Sequence, residues 1–292
     1  MKPPVFEYTA PKSVDEVLAE LARHGDAAKL LAGGQSLVPL LNMRLTAPRR
    51  LIDLNRVGEL AYVAVRDGGV AIGAMTRQRA AERSAVVAGQ VPLLADALPW
   101  VGHFQIRNRG TIGGSLSHAD PAAELPAVAA CLDARFTVRG PAGERVLGAG
   151  EFFRTHLTTA LEPTELLTEV WFPSAARGTG SAWVELARRH GDYALVGVGA
   201  VVTLAGERVG EARLVLTGVG GAPVRAREAE TLLAGEPLTP ARLADAAAAV
   251  RRAIDPGGDI HATPEYRRRV AGVLTGRALT LAAARAREAA RP

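Results

Sequence analysis

The sequence predicts an α+β protein made of two or three compact units in series. Three observations carry this expectation. The 292 residues are more than one core usually fills. Strand-like and helix-like segments mix through the first half, and no G-x-G-x-x-G follows the first strand to open a doubly wound sheet. A stretch rich in Pro, Gly, Ser and Ala, from Pro173 to Ser181, reads as a linker, and beyond it come strands and then helices.

The elements follow in order. VFEY is a short strand. In SVDEVLAELARHG, Ser13 and Glu16 form an S-x-x-E capping box, Val14, Val17, Leu18 and Leu21 make a helical stripe, and Gly25 suits a left-handed C-cap. AKLLA is expected to be a buried strand, and RRLIDL a second one. AYVAVRDGGVAIGAM reads as a hairpin turning at Asp67-Gly68-Gly69. TRQRAAERSAVVAG, VPLLADALPWVG and AELPAVAACL are expected to be helical, and ARFTVRG and ELLTEVWFP to be strands. After the linker, AWVELARR, LVGVGAVVTL and ARLVLTGVG are strands, and the stretches from Thr239 and Thr263 are helices.

Composition removes several function classes. No apolar run reaches ~18 residues, so no integral membrane segment is expected, and the N-terminus lacks a signal-peptide pattern. The expected location is cytoplasmic, at most peripheral to the inner membrane. The net charge of +5 comes from scattered arginines, and aromatics make up only 4% of the chain, too few for a base-stacking platform; nucleic acid is not expected as a partner. Cys131 is the single cysteine, which excludes an intrachain disulfide and an iron–sulfur cluster held by this chain. No P-loop is present, no nucleophile–base pair stands out and no metal-ligand spacing is visible.

Two glycine-rich stretches do stand out: LLAGGQSLVPLL from Leu30 and RNRGTIGGSLSHADP from Arg107. A Gly-Gly pair lets backbone approach a ligand, and consecutive amides can form a nest for anionic oxygens. Two such nests, each serving one phosphate, suit a pyrophosphate-bridged dinucleotide, with Asp120 available to a ribose hydroxyl. Plainer readings stand beside these. Asp120 can be an Asx-turn residue before Pro121. His118 can cap a carbonyl, Arg107 and Arg109 can anchor the loop, and Tyr193 can simply pack its ring. Cys131 is expected to be inert core, and Arg267, Arg268 and Arg269 a solvated helix face or a subunit contact.

AGGQSLVPLLNMR and IRNRGTIGGSLSHADPAAELPA resemble the two FAD-binding signatures of the medium subunits of molybdenum hydroxylases, the carbon monoxide dehydrogenase and xanthine dehydrogenase type. RRHGDYALVGVGA, LTGVGGAPVRA and YRRRVAGVLTGRAL continue the resemblance to the C-terminus. It implies a two-subdomain FAD-binding fold of the vanillyl-alcohol-oxidase/PCMH type, with subdomains at 1–56 and 57–173, plus a C-terminal α+β domain at 181–292. It also implies that Ala32, Gly33, Gly34, Gln35 and Ser36, with Thr111, Ile112, Gly113, Gly114 and Ser115, wrap the FAD pyrophosphate. Asp120 would lie near the ribose or adenosine, and Tyr193 near one face of the isoalloxazine. The implied partners are a molybdopterin-binding large subunit, a [2Fe–2S] small subunit and an external acceptor, quinone or NAD+. Ser115 and His118 replace asparagines common in the family, and Glu124 stands where many members carry Asp. A flavin-free scaffold and a self-contained flavin oxidase are the alternatives.

Overall fold

The computed structural model describes residues 1–290. The first sheet is parallel throughout, with strand order β1–β3–β2. It comprises β1 (Glu7–Thr9), β2 (Ala28–Leu31) and β3 (Arg50–Asp53), with helix α1 (Val14–His24) crossing between β1 and β2 and α2 (Leu37–Asn42) following β2. Parallel neighbours need such crossovers. Val14, Val17 and Leu21 bury the α1 stripe against Ile52 and Leu54. Only half of the predicted capping box forms. Ser13 Oγ accepts from Glu16 N at 3.3 Å, but the Glu16 carboxylate accepts from Lys12 N at 2.7 Å, one residue outside the cap. AKLLA is also less buried than expected: β2 is an edge strand, so Ala28 is covered and Lys29 is exposed.

The second sheet is antiparallel, in the order β4–β5–β10–β6–β7. β4 (Val63–Arg66) and β5 (Gly69–Gly73) form the predicted hairpin, with Asp67 and Gly68 at φ 55° and 71°, the geometry of a tight two-residue turn. The helical stretches that follow are broken into α3 (Gln78–Glu82), α4 (Ala85–Gln90), α5 (Pro92–Ala97), α6 (Phe104–Arg109), α7 (Ile112–His118) and α8 (Glu124–Cys131). Ser84 caps α4 by accepting from Val87 N, and Pro92 starts α5. β6 (Arg135–Gly140), β7 (Gly143–Gly148), α9 (Ala149–Phe152), the short ribbon β8 (Phe153–Thr155) with β9 (Thr158–Thr159), and β10 (Leu166–Pro173) complete this middle unit. Val70, Ile72, Phe136 and Val170 on the sheet pack with Leu94, Leu116, Leu125 and Val128 from the helices.

The third sheet runs β11 (Thr179–Leu186), β12 (Val196–Ala205), β13 (Arg208–Thr217), β14 (Val224–Arg225), and is also antiparallel. One face carries α10 (Arg227–Leu233), α11 (Pro240–Ala253) and α12 (Pro264–Ala289), through Val198, Val202, Leu214, Ala271, Leu274 and Ala278. Alternation turns Trp183 and Val215 to the other face, where they join the middle unit's core. The stretch read as a linker is not free. Pro173 ends β10 and Thr179 starts β11, while Ser174 Oγ and Ala175 N between them both bond Gln90, each at 2.8 Å.

Candidate functional site

β2 delivers the chain into Ala32–Ser36, where Gly34 takes φ +74°, before α2 begins. Asn55, just past β3, fixes this segment by donating its Nδ2 to Ala32 O at 3.0 Å. Among the described residues, none of the backbone amides from Gly33 to Ser36 donates to a protein acceptor. Unpaired amides in sequence need water or a ligand. This run is a cradle for anionic oxygens.

The second glycine stretch is built differently from the expected loop. Arg107–Arg109 ends helix α6, and Gly113 and Gly114 lie in the first turn of α7, which Thr111 caps. Four of the five amides from Thr111 to Ser115 are already used, while that of Thr111 has no acceptor among the described residues. Ile112 N bonds Thr76 O at 2.9 Å and Gly113 N bonds Ala74 O at 2.8 Å. Gly114 N bonds Thr111 Oγ1 at 3.0 Å, and Ser115 N bonds Thr111 O at 3.2 Å. The free amides of the two expected nests are thus four on the first segment and that of Thr111 on the second. The Ser115 side chain is half-buried.

The glycines bring the two segments together. A side chain on Gly33 would collide with the Arg109 carbonyl and lie 2.7 Å from Gly110 Cα. One on Gly114 would lie 2.6 Å from Thr111 Oγ1 and 3.3 Å from Ala32 Cβ. Arg77 clasps the same junction: one guanidinium nitrogen donates to Arg109 O, and another to Asn55 Oδ1 at 2.6 Å. Burial and the neighbouring Arg109 both lower the Arg77 pKa, and Asp53 opposes them. Burial works against ionised Asp53, but hydrogen bonds from Tyr8 and Asn55 and the field of Arg109 outweigh it and hold the carboxyl below its usual range. Neither Asn55 nor Arg77 stood out in the sequence, because only the meeting of two distant segments gives them a role.

Asp120 makes the Asx turn, accepting from Ala122 N at 2.8 Å, while its second oxygen has no hydrogen-bond partner among the described residues. Thr217 Oγ1 donates to Pro121 O and Ala123 O at 2.8 and 2.9 Å, and Gly218 N donates to Pro121 O, tying this turn to the end of β13. Arg267 underlies that join. It is buried rather than solvated, donating to Leu195 O at 2.5 Å and Gly218 O at 3.0 Å while pairing with Asp259. Tyr193 reaches the cleft from the C-terminal unit with 59% of its surface exposed. Partial desolvation of its phenol, helped by Asp120, raises its pKa, while Ser36 pulls the other way. Ser36 and Asp120, from two other parts of the chain, thus lie near enough to act on the Tyr193 phenol.

The remaining candidates resolve as follows. Arg107 is an anchor: it pairs with Glu82 and donates to Val101 O and Gly102 O at 3.0 and 2.9 Å. Burial lowers the His118 pKa, with Asp120 opposing it. Cys131 is fully buried, its thiol pushed up to about 12 by desolvation. Two carboxyls that the sequence did not connect, Glu124 and Glu185, both rise, to about 8 and about 7, with desolvation the leading cause in each. No group of three metal-binding side chains occurs among the described residues, and no helix there is long and apolar enough to cross a membrane.

Residues 4–175 match the model of the FAD binding domain in molybdopterin dehydrogenase, and residues 181–282 that of the CO dehydrogenase flavoprotein C-terminal domain. The chain belongs to the FAD-binding medium subunits of the molybdenum hydroxylase family. It is 43% identical to the 6-hydroxypseudooxynicotine dehydrogenase complex subunit alpha of Paenarthrobacter nicotinovorans, over 98% of this chain and 97% of that one. It is 39% identical to the carbon monoxide dehydrogenase medium chain of Hydrogenophaga pseudoflava, over 98% and 99% of the two chains. A solved structure of carbon monoxide dehydrogenase from Hydrogenophaga pseudoflava superposes with a TM-score of 0.96 at 40% identity, covering 98% of this chain and 99% of the other. FAD is the cofactor of this medium subunit, and the chain is an oxidoreductase flavoprotein. The unpaired amides of Gly33–Ser36 suit the anionic oxygens of its pyrophosphate.

Proposed function

We propose that this medium subunit is the flavin relay of a molybdenum hydroxylase complex. In it a molybdopterin-binding large subunit oxidises the substrate and a [2Fe–2S] small subunit passes the electrons on. FAD supplies the redox chemistry that takes single electrons in and gives pairs out, to a quinone or NAD+. The chain's own residues hold and orient it. The Gly33–Ser36 amides bind pyrophosphate oxygens, with Ala32 and the stretch Thr111, Ile112, Gly113, Gly114 and Ser115 closing the cradle from the other side. Asp120 offers its free oxygen to a ribose hydroxyl, and Tyr193 covers one face of the isoalloxazine.

This reading extends to the fold. The FAD-binding half takes the two-subdomain arrangement of the vanillyl-alcohol-oxidase/PCMH type, divided at 1–56 and 57–173 and followed by the domain at 181–292. The complex works in the cytoplasm or against the inner face of the inner membrane. The observation that carries the proposal is the run of unpaired amides from Gly33 to Ser36. Its test is the visible spectrum of the purified chain after FAD addition and desalting. Retained flavin bands are the expected result; a chain that stays colourless, alone and with its co-expressed partners, overturns it.

A further inference from the structure

Asp53 closes β3 beside Leu31, the last residue of β2, and Asn55 follows just after it. The Asp53 carboxylate is held from two sides. Tyr8 of β1 donates its hydroxyl to Oδ2 at 2.5 Å, and Asn55 N donates to Oδ1 at 2.8 Å. Asn55 Nδ2 donates to that same Oδ1, and to Ala32 O at 3.0 Å. Its Oδ1 accepts from the Arg77 guanidinium at 2.6 Å. Turning this amide over would set its oxygen against two acceptor oxygens and its NH2 against a cation. The Asp53 carboxylate and Arg77 thus select one orientation of the Asn55 amide, and that orientation supplies the donor to Ala32 O.

What the donor holds is a peptide plane. In a trans peptide the N–H points opposite to the C=O of the same plane, and the described chain has no cis peptide. Fixing Ala32 O therefore fixes the direction of the Gly33 N–H, the first free amide of the cradle. The next two planes are held in the same way. Gln35 Nε2 donates to Gly33 O at 3.2 Å, and Val38 N donates to Gly34 O at 3.0 Å. Those two bonds lie within the segment, whereas the Gly33 amide depends on Asn55 from beyond β3. A glycine-rich run without such locks samples many orientations, and a ligand has to order it on binding.

We propose that Asp53 and Asn55 are positioning residues for the cofactor, preorganising the first amide of the Gly33–Ser36 run by locking the Ala32 carbonyl, with Arg77 completing the lock from the middle unit. The inference rests on the reading of that run as the pyrophosphate cradle. Its sign separates it from simple charge effects. Asp53 is an anion close to where an anionic pyrophosphate would bind, so charge alone would make its removal tighten binding. A positioning role makes removal of its acceptor oxygens weaken binding instead.

The test compares the native full-length chain with Asp53→Ala, Asp53→Asn and Asn55→Ser, together with co-expressed partners where flavin retention needs them. It reads FAD dissociation constants and the phosphorus NMR spectrum of bound FAD. Asp53→Ala and Asn55→Ser should each raise the dissociation constant about tenfold and move the phosphorus resonances toward those of free FAD. Asp53→Asn keeps an oxygen acceptor for Asn55 without the charge, and should bind as well as the native chain or more tightly. A merely structural role would lower the melting temperature and leave the phosphorus resonances of the folded fraction in place. The proposal is overturned by that result, by Asp53→Ala binding as tightly as the native chain, or by Asp53→Asn losing as much as Asp53→Ala. Should Asn55→Ser fail to fold, the two Asp53 variants carry the comparison. If the native chain takes no FAD even with its partners, the cradle reading falls. NMR relaxation of the Gly33 amide then decides the lock by itself: ordered in the native chain and mobile in Asp53→Ala upholds it, and equal order in both overturns it.

Discussion

Gly33 shows what a single residue settles in this protein. Its neighbour across the junction is the Arg109 carbonyl, so even one added carbon has nowhere to go. Gly33→Val should part the two segments and abolish FAD retention, read as loss of flavin absorbance after desalting while circular dichroism shows a folded chain. Arg77→Met should act more mildly. It frees Arg109 O and Asn55 Oδ1 of charged donors, and FAD affinity should drop about tenfold or more in a titration. Protonation acts at the same scale. Glu124 has its pKa raised from 4.5 to about 8, so its contribution to stability is full below about pH 4.5 and is lost as pH rises through about 8. Glu124→Gln should therefore melt higher than the native chain near pH 8 and lose that advantage near pH 5. Parallel melting curves at the two pH values would contradict this sign.

At the level of elements, the sequence was informative wherever a local rule decides the outcome. The Asp67-Gly68 hairpin, the α1 stripe and the Pro-initiated α11 and α12 are written in a few consecutive residues. The reading fell short where partners come from far away. Glycines in RGTIGGS look like a flexible loop, yet Gly113 and Gly114 lie in the first turn of α7, and Ala74 leaves no room for a side chain at Gly113. Arg267 sits among three arginines that look solvated, and its burial follows from the carbonyls of Leu195 and Gly218, some 50 to 70 residues away. Removing it leaves two carbonyls without their charged donor at the base of the β13 turn. Arg267→Met should cost about 3 kcal/mol in chemical denaturation. The two segments that meet at Gly33 were legible as motifs, whereas the division between a free-amide run and a packed helix turn was not.

Across the whole molecule, the C-terminal sheet has two apolar faces, and this decides how the parts depend on each other. One face carries its own helices; the other lends Trp183 and Val215 to the core of the middle unit. The Arg285–Asp96 ion pair between α12 and α5 and the Thr217 contacts close the same seam at its flanks. A fragment ending at Ala176 would expose the apolar surface that these residues cover. It should elute as aggregate in size-exclusion chromatography, where the full chain runs as a defined species. A well-behaved monomeric fragment would show that the shared core is dispensable.

The shared core also bears on inheritance. The short connection between β10 and β11, exposed at Ala175 to Arg177, looks convenient for recombination, but the units it joins share one packed interior. Hybrids that join the first half of this subunit to the last half of a relative would bring together surfaces that never adapted to each other. A viable exchange has to carry Trp183, Val215 and their contacts in the middle unit as one hereditary block. The two halves can diverge in what they do only as fast as the face between them can follow.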